Sequence, residues 1–383
     1  MKRKLLVFLS LAAMVASIGC FGDSGDSDSG SSGSGNGTAT VQGNVTDTTG
    51  ALITNAQLTT GDVTTTSNAG AFTLANIAIP SDGTVKITIS RNGSLTTYAF
   101  EPVANGQTLV ATYTLKTIAA GSINTLNMAA PLPAYDNGRL DTKIAKVELA
   151  ANSILGSDGN PVTTANVTVV NQVPGDTSYA DVFPGVFAGV RTNGTTTPFE
   201  SYGFVSVDLG TGNKLDPSKP ATLTIPIAAG NTPTDATIPL WSYNPATGKW
   251  VEEGVATRQD LGGGNIVYVG QVTHFSTYNL DKPFTGGNFV VNVASGSLVV
   301  SSAKVTMTST WSANNQSGVW KDIRYTDATG KATFSVPAGK LDITAEKDSK
   351  TAKGYMYDLT GSNASATIDI NNPFSHGGFV SVR

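Results

Sequence analysis

The sequence predicts an all-β protein built as tandem β-sandwich domains behind a disordered tether. Three observations predict it. Short apolar/polar alternations bounded by Gly, Asn, Asp and Pro dominate, while helical periodicity is scarce. Only 14% of the 383 residues are charged and 42 are Gly, with abundant Thr, a β-branched residue that fits a pleated, half-exposed surface. The chain beyond residue 38 has about 345 residues, too many for one sandwich and suited to three domains of ~100–150 residues each.

The chain opens Met1-Lys2-Arg3-Lys4, runs apolar from Leu5 to Ile18 and reaches Gly19-Cys20, the sole cysteine. An apolar run of 14 residues is too short to span a bilayer, which takes ~20. With its basic start and small residues before the cysteine it has the three parts of an export signal. Residues 1–20 resemble a bacterial lipoprotein signal, whose lipobox ends in Gly-Cys. The resemblance implies removal of residues 1–19. It also implies a thioether-linked diacylglycerol and an N-acyl chain on Cys20, which together anchor stably where a single chain would be marginal. Phe21 stands where inner-membrane retention uses Asp, so the same resemblance implies the outer membrane of the cell envelope, with the leaflet open.

Without residues 1–19 the chain has 21 basic and 28 acidic residues, a net charge of −7. It has no Lys/Arg block, which argues against nucleic acid as a partner. Residues 20–38 form the lipidated Cys and a Gly/Ser/Asp tether. Such a segment buries too little apolar surface to offset its ordering entropy and, as a flexible coil, spans about 20–25 Å. Asp23, Asp26 and Asp28 lack the bidentate Glu of an EF-type calcium loop; they read as solvating charge.

Residues 39–117 read as a first sandwich of seven strands: Thr40–Asp47, Ala56–Thr60, Val63–Thr66, Ala71–Ala75, Val85–Ser90, Thr97–Val103 and Thr108–Leu115. The text VQGNVTDTTGALITNAQLTT, followed by SNAGAFTLANI, resembles the carboxypeptidase regulatory-like (transthyretin-like) domain. That family implies a spacer, stabilising or binding role. Residues 118–140 read as a linker, extended at Ala129-Ala130-Pro131-Leu132-Pro133.

Residues 141–283 read as a middle sandwich. Trp241-Ser242-Tyr243-Asn244-Pro245-Ala246-Thr247-Gly248-Lys249-Trp250 is a hairpin by its turn residues. Trp241 and Tyr243 share one strand face and Trp250 returns beside them. Two readings stand: an aromatic platform for sugar rings, or aromatic packing of a hairpin in a sandwich core. Together with Phe183-Pro184-Gly185 and His274-Phe275-Ser276, this order resembles domains of cartilage intermediate layer proteins. It more distantly resembles the β-domain of netrin receptors, ankyrins and tight-junction scaffolds. Some members of that distant family cut themselves between Phe and Ser of such a tripeptide. Carried onto this chain, the bond is Phe275–Ser276: Ser276 Oγ attacks the Phe275 carbonyl, an ester forms by N→O acyl shift, and water hydrolyses it. His274 would orient the hydroxyl or take its proton. The same residues also serve as a plain core strand.

Residues 286–373 read as a third sandwich, Ig-like or regulatory-like, with Ala332, Phe334 and Val336 pointing inward; residues 374–383 are a tail. An internal repeat supports the partition: Ile53-Thr-Asn-Ala56-Gln-Leu58, Val162-Thr-Thr-Ala165-Asn-Val167 and Val300-Ser-Ser-Ala303-Lys-Val305. Turns follow in the first and third modules at Asn68–Gly70 and Asp327–Gly330.

Conventional catalytic motifs are absent from the sequence: no Gly-x-Ser-x-Gly elbow, Walker A loop or His-Glu-x-x-His. His274 and His376 lie about 100 residues apart, and His376 has no second metal ligand close in sequence. No cofactor or metal is expected. The expectation is a non-catalytic, lipid-anchored envelope scaffold that binds a protein or polysaccharide. The alternatives are self-cleavage at Phe275–Ser276 and carbohydrate binding through Trp241, Trp250, Trp311 or Trp320.

Overall fold

The computed structural model describes residues 37–136, 145–176, 178–284, 287–313, 316–337, 341–348, 350–356 and 364–372, with the backbone alone at 310–313, 316, 317, 355 and 356. Cys20 with the signal and tether, the tail with His376, and the Trp311 side chain lie outside what is described. The described residues belong to one compact unit.

The first module holds β1 (Thr38–Asp47), β2 (Gln57–Thr60), β3 (Val63–Thr66), β4 (Ala71–Ala78), β5 (Thr84–Ser90), β6 (Thr97–Pro102) and β7 (Thr108–Leu115). These are the seven strands that alternation predicts. They form two sheets, β4-β1-β7 and β3-β2-β5-β6, with β1 parallel to β7. Every second residue faces inward: Val41, Val45, Leu58, Leu74, Ile87 and Leu115 meet in one core.

The middle module holds β8 (Ile123–Asn127), β9 (Leu132–Tyr135), β10 (Lys146–Leu149), β11 (Ile154–Leu155), β12 (Thr164–Gln172), the short helix α1 (Tyr179–Val182), β13 (Ala188–Val190), β14 (Thr196–Asp208), β15 (Lys214–Leu215), β16 (Ala221–Pro226), β17 (Thr237–Asn244), β18 (Lys249–Asp260), β19 (Ile266–Val272) and β20 (Thr277–Pro283). The path β14-β20-β17-β18-β19-β16-β10-β9, extended by β12 and β8 beside β14, curls around one core. Leu126, Ala134, Val147, Val167, Val205, Leu223, Tyr268 and Leu280 all reach it.

The expected linker is therefore corrected. Residues 123–127 and 132–135 are strands of the middle module, pairing with β12 and β10. Pro131 and Pro133 suggested an unpaired linker, but β9 is the outermost strand of its path. There Pro133 can sit without breaking a two-sided ladder.

The third module holds β21 (Gly287–Ser295), β22 (Leu298–Val299), β23 (Lys304–Ala313), β24 (Gln316–Tyr325), β25 (Lys331–Val336), β26 (Leu341–Lys347), β27 (Lys350–Met356) and β28 (Ala364–Asp369). Its strands repeat the first module's wiring. β25-β21-β28 matches β4-β1-β7, again with the last pair parallel, and β24-β23-β26-β27 matches β3-β2-β5-β6. The local chemistry repeats too. Ser67 Oγ accepts from Ala56 N at 3.0 Å and donates to Ile53 O at 2.7 Å; Thr326 Oγ1 does the same with Ala303 N at 2.8 Å and Val300 O at 2.7 Å. A hydroxyl thus satisfies two buried backbone groups at each strand start. The Ala/aliphatic pairs of the sequence repeat, Ala56/Leu58, Ala165/Val167 and Ala303/Val305, are all buried.

The three modules are not separate beads. β14 meets β24 through a Ser201–Val319 bridge, and the middle module's aromatic cluster is continuous with the third module's core. Lys321 Nζ reaches Asp181 Oδ1 at 3.1 Å. Between the first and third modules, Glu101 accepts from Tyr113 at 3.3 Å and from Tyr325 at 3.1 Å. Between the first and middle modules, Ser178 Oγ donates to Thr48 O at 3.1 Å. Gly248, at φ +69°, leaves the space that the Phe100 ring occupies; a Cβ there would fall 2.5 Å from the ring. Glycine is required twice over, for the hairpin turn and for the docking.

Candidate functional site: the cleft between the first and middle modules

The docking of the first module on the middle one leaves an open cleft of about 890 Å³. One wall is the β5–β6 connection, the start of β6 and the chain after β7: Arg91, Ser94, Tyr98, Lys116. The other is built from the ends of β14, β17 and β18 and the approach to β20: Ser206, Asp208, Tyr243, Asn244, Glu253 and His274–Thr277. A second hollow of about 350 Å³ adjoins it, Lys116 and Gln172 lining both. Asn171 lines the smaller hollow and is 1% exposed, with neither amide atom hydrogen-bonded.

His274, Phe275 and Ser276 bridge β19 and β20 as a bend. Their groups are engaged separately. His274 Nε2 faces both carboxylate oxygens of Glu253 at 2.9 and 3.0 Å. Ser276 Oγ donates to the Tyr243 carbonyl at 2.5 Å. The Tyr278 hydroxyl donates to the His274 carbonyl at 2.7 Å, and the Ser276 carbonyl accepts from Val207 N at 3.0 Å. The bend is thereby pinned to β14, β17 and β20, and Phe275 packs half-buried on the middle core. The hydrogen bond to Glu253 raises the His274 pKa against the opposing effect of burial. Burial pushes Glu253 up, but hydrogen bonds from His274 and Ser242 outweigh it, and its pKa is lowered.

The sugar platform is corrected. Trp241, Tyr243 and Trp250 are 0%, 3% and 0% exposed, and Trp320 is 1% exposed. The hairpin itself forms as expected, with Tyr243 opposite Trp250 across β17 and β18 and their rings 5.2 Å apart. The indoles are covered by Phe183 and Phe187, which follow α1, and by Phe199 on β14; Phe183 lies 5.1 Å from Trp250 and Phe199 5.1 Å from Trp241. Trp250 Nε1 donates to Pro184 O at 2.9 Å and Trp241 Nε1 to Asp281 O at 3.2 Å. Each ring is thus packed and its N–H satisfied, the usual condition for a buried Trp.

Under the same aromatic layer lies a polar cluster that motif reading missed. Tyr179 OH and Ser201 Oγ are 2.7 Å apart, and Ser201 donates to Asn279 Oδ1 at 2.6 Å. Asp281 is fully buried beside them, and burial raises its pKa well above the carboxylate range, opposed only by the Ser201 hydroxyl. Its one sequence trace is the alternation Asn279-Leu280-Asp281, polar where the pattern calls for core. Among the described residues, no group of three His, Cys, Asp or Glu could hold a metal ion, and no helix is long and apolar enough to cross a membrane.

No protein-family model matches the chain, and no curated protein matches it. Among solved structures it is similar to the Bacillus anthracis TIE protein, at 12% identity and TM-score 0.18, covering 86% of this chain and 50% of that one. The chain thus spans half the length of that protein. It is also similar to BcpA, the major pilin subunit of Bacillus cereus (8% identity, TM-score 0.16, 86% of this chain and 99% of that one). A third similarity is to a putative carbohydrate-binding protein from Bacteroides uniformis (9%, 0.17, 62% and 99%). At the level of fold, the chain is a tandem β-sandwich protein.

Proposed function

We propose that this chain is a non-catalytic scaffold of the bacterial cell envelope, held to the outer membrane by lipid on Cys20, which captures a ligand in the cleft between its first and middle modules. The observation that carries the reading is that cleft. It is a concavity of about 890 Å³, within the size range of ligand sites, and its walls come from two modules tied together by the Phe100–Gly248 and Ser178–Thr48 contacts. The groups that would perform self-cleavage support an intact chain: the Ser276 hydroxyl proton is held by the Tyr243 carbonyl and the His274 ring by Glu253. The anchor rests on residues 1–20 of the sequence.

Fractionation of expressing cells tests the anchored part. The wild-type chain is expected in the membrane fraction as one full-length mature band, and Cys20→Ser in the soluble fraction. A Cys20→Ser variant that still sediments with membranes would overturn the anchor.

A further inference from the structure

We propose that the cleft takes a segment of acidic polysaccharide, a chain of carboxylated sugar units. This rests on the reading of the cleft as the ligand site and names its ligand class. Three cations line it, Arg91, Lys116 and Lys214, and none makes an ion pair among the described residues. Some basic side chains elsewhere are neutralised, as in Arg191–Glu252, Lys282–Asp235, Lys321–Asp181 and Arg324–Asp322, while others, such as Lys249 and Lys331, make no ion pair among the described residues but stand singly outside any such concavity. Of the cleft's two acids, Glu253 is already paired with His274, which leaves Asp208, bonded to the Gly210 N–H, as the one carboxylate outside an ion pair. In a chain with net charge −4, this cleft of about 890 Å³ sets three cations without ion pairs against a single carboxylate outside one, and low-dielectric walls strengthen attraction for an anion.

The size of the cleft argues for a polymer segment over a single small anion, which would fill a minor part of about 890 Å³. The surroundings favour sugar over peptide. An acidic peptide would bind most readily by adding a strand, but the backbone on the first module's wall is already paired. Ser94 bridges Thr117, Leu95 N donates to Lys116 O and Ile118 N to Gly93 O. What the walls offer instead is side chains: amides and hydroxyls at Asn92, Thr96, Asn213 and Asn244, and the half-buried ring of Phe275. Hydroxyls that both donate and accept, ring faces that stack on aromatics, and a carboxylate for the cations belong together in an acidic sugar.

Calorimetric titration of the full chain carrying Cys20→Ser tests this, with oligogalacturonate as the probe, a neutral maltooligosaccharide of equal length and poly-glutamate as comparisons. Oligogalacturonate is expected to bind, the comparisons at least tenfold more weakly. The affinity should fall with added salt and drop about tenfold or more in Arg91→Gln/Lys116→Gln, with melting temperature unchanged; Lys331→Gln, in the third module, should leave it intact. Absence of oligogalacturonate binding, or equal binding of either comparison, overturns the ligand class and leaves the anchored scaffold standing. Binding that ignores the Arg91/Lys116 change overturns the cleft itself as the site.

Discussion

Ser276 and Tyr243 are joined across two strands: the Ser276 hydroxyl donates to the Tyr243 carbonyl at 2.5 Å. The contact ties the bend before β20 to the end of β17 and gives the serine a structural task. A hydroxyl so placed lends its proton to a backbone carbonyl, not to a base.

A denaturing gel of purified protein checks the consequence. One full-length band is expected, identical in Ser276→Ala. The mutant should lose about 1 kcal/mol of stability, the net worth of one hydrogen bond with its acceptor left behind. Two wild-type bands that merge in the mutant would establish cutting at Phe275–Ser276 instead.

The His274–Glu253 pair makes stability depend on pH. The folded His274 pKa lies above its ordinary 6.5, so its contribution is complete below that value and is lost as pH rises through the folded pKa. The folded Glu253 pKa lies below its ordinary 4.5, so its contribution is present above that value and is lost as pH falls through the folded pKa. The pair therefore acts chiefly between 4.5 and 6.5. With side chains 47% and 34% exposed, the effect is screened and small. Thermal melts of His274→Gln should fall below wild type near pH 5.5 and coincide with it near pH 9; a gap that widens with pH would contradict the assignment.

Asp281 acts in the opposite sense. Burial raises its pKa far above the ordinary 3.8, so between those values the folded chain binds a proton that the unfolded chain has released. Stability then falls as pH rises. Asp281→Asn, which removes the titration, should gain on wild type from pH 4 to pH 8 in paired melts. A constant difference across that range would mean that Asp281 is ionised in the fold.

Trp250 belongs to the core. Trp250→Ala should cost about 3–5 kcal/mol in denaturant unfolding. A change near zero would return the residue to the surface and reopen the sugar platform.

The first and third sandwiches were legible because their strands alternate cleanly. Ala332, Phe334 and Val336 point inward as read, and the Ala56/Leu58 and Ala303/Val305 pairs mark equivalent strand starts. Two things escaped. Leu132–Tyr135 carries Pro133 and follows Pro131, which a sequence reads as linker, and its outermost place in the sheet makes Pro133 harmless. The cleft brings Arg91 and Lys116 to residues around 208, 244 and 274; such long-range docking leaves no periodic trace. The hairpin Trp241–Trp250 was readable, but the burial of its rings depends on Phe183, Phe187 and Phe199, which nothing local assigns to it.

The anchor is the claim on which the cell-envelope account turns, and mass spectrometry of the N-terminal peptide from membrane-extracted protein tests it most directly. The account predicts a peptide beginning at Cys20, with a diacylglyceryl thioether and an amide-linked acyl chain. A peptide with a free Cys20 thiol, or one that retains residues 1–19, would contradict it.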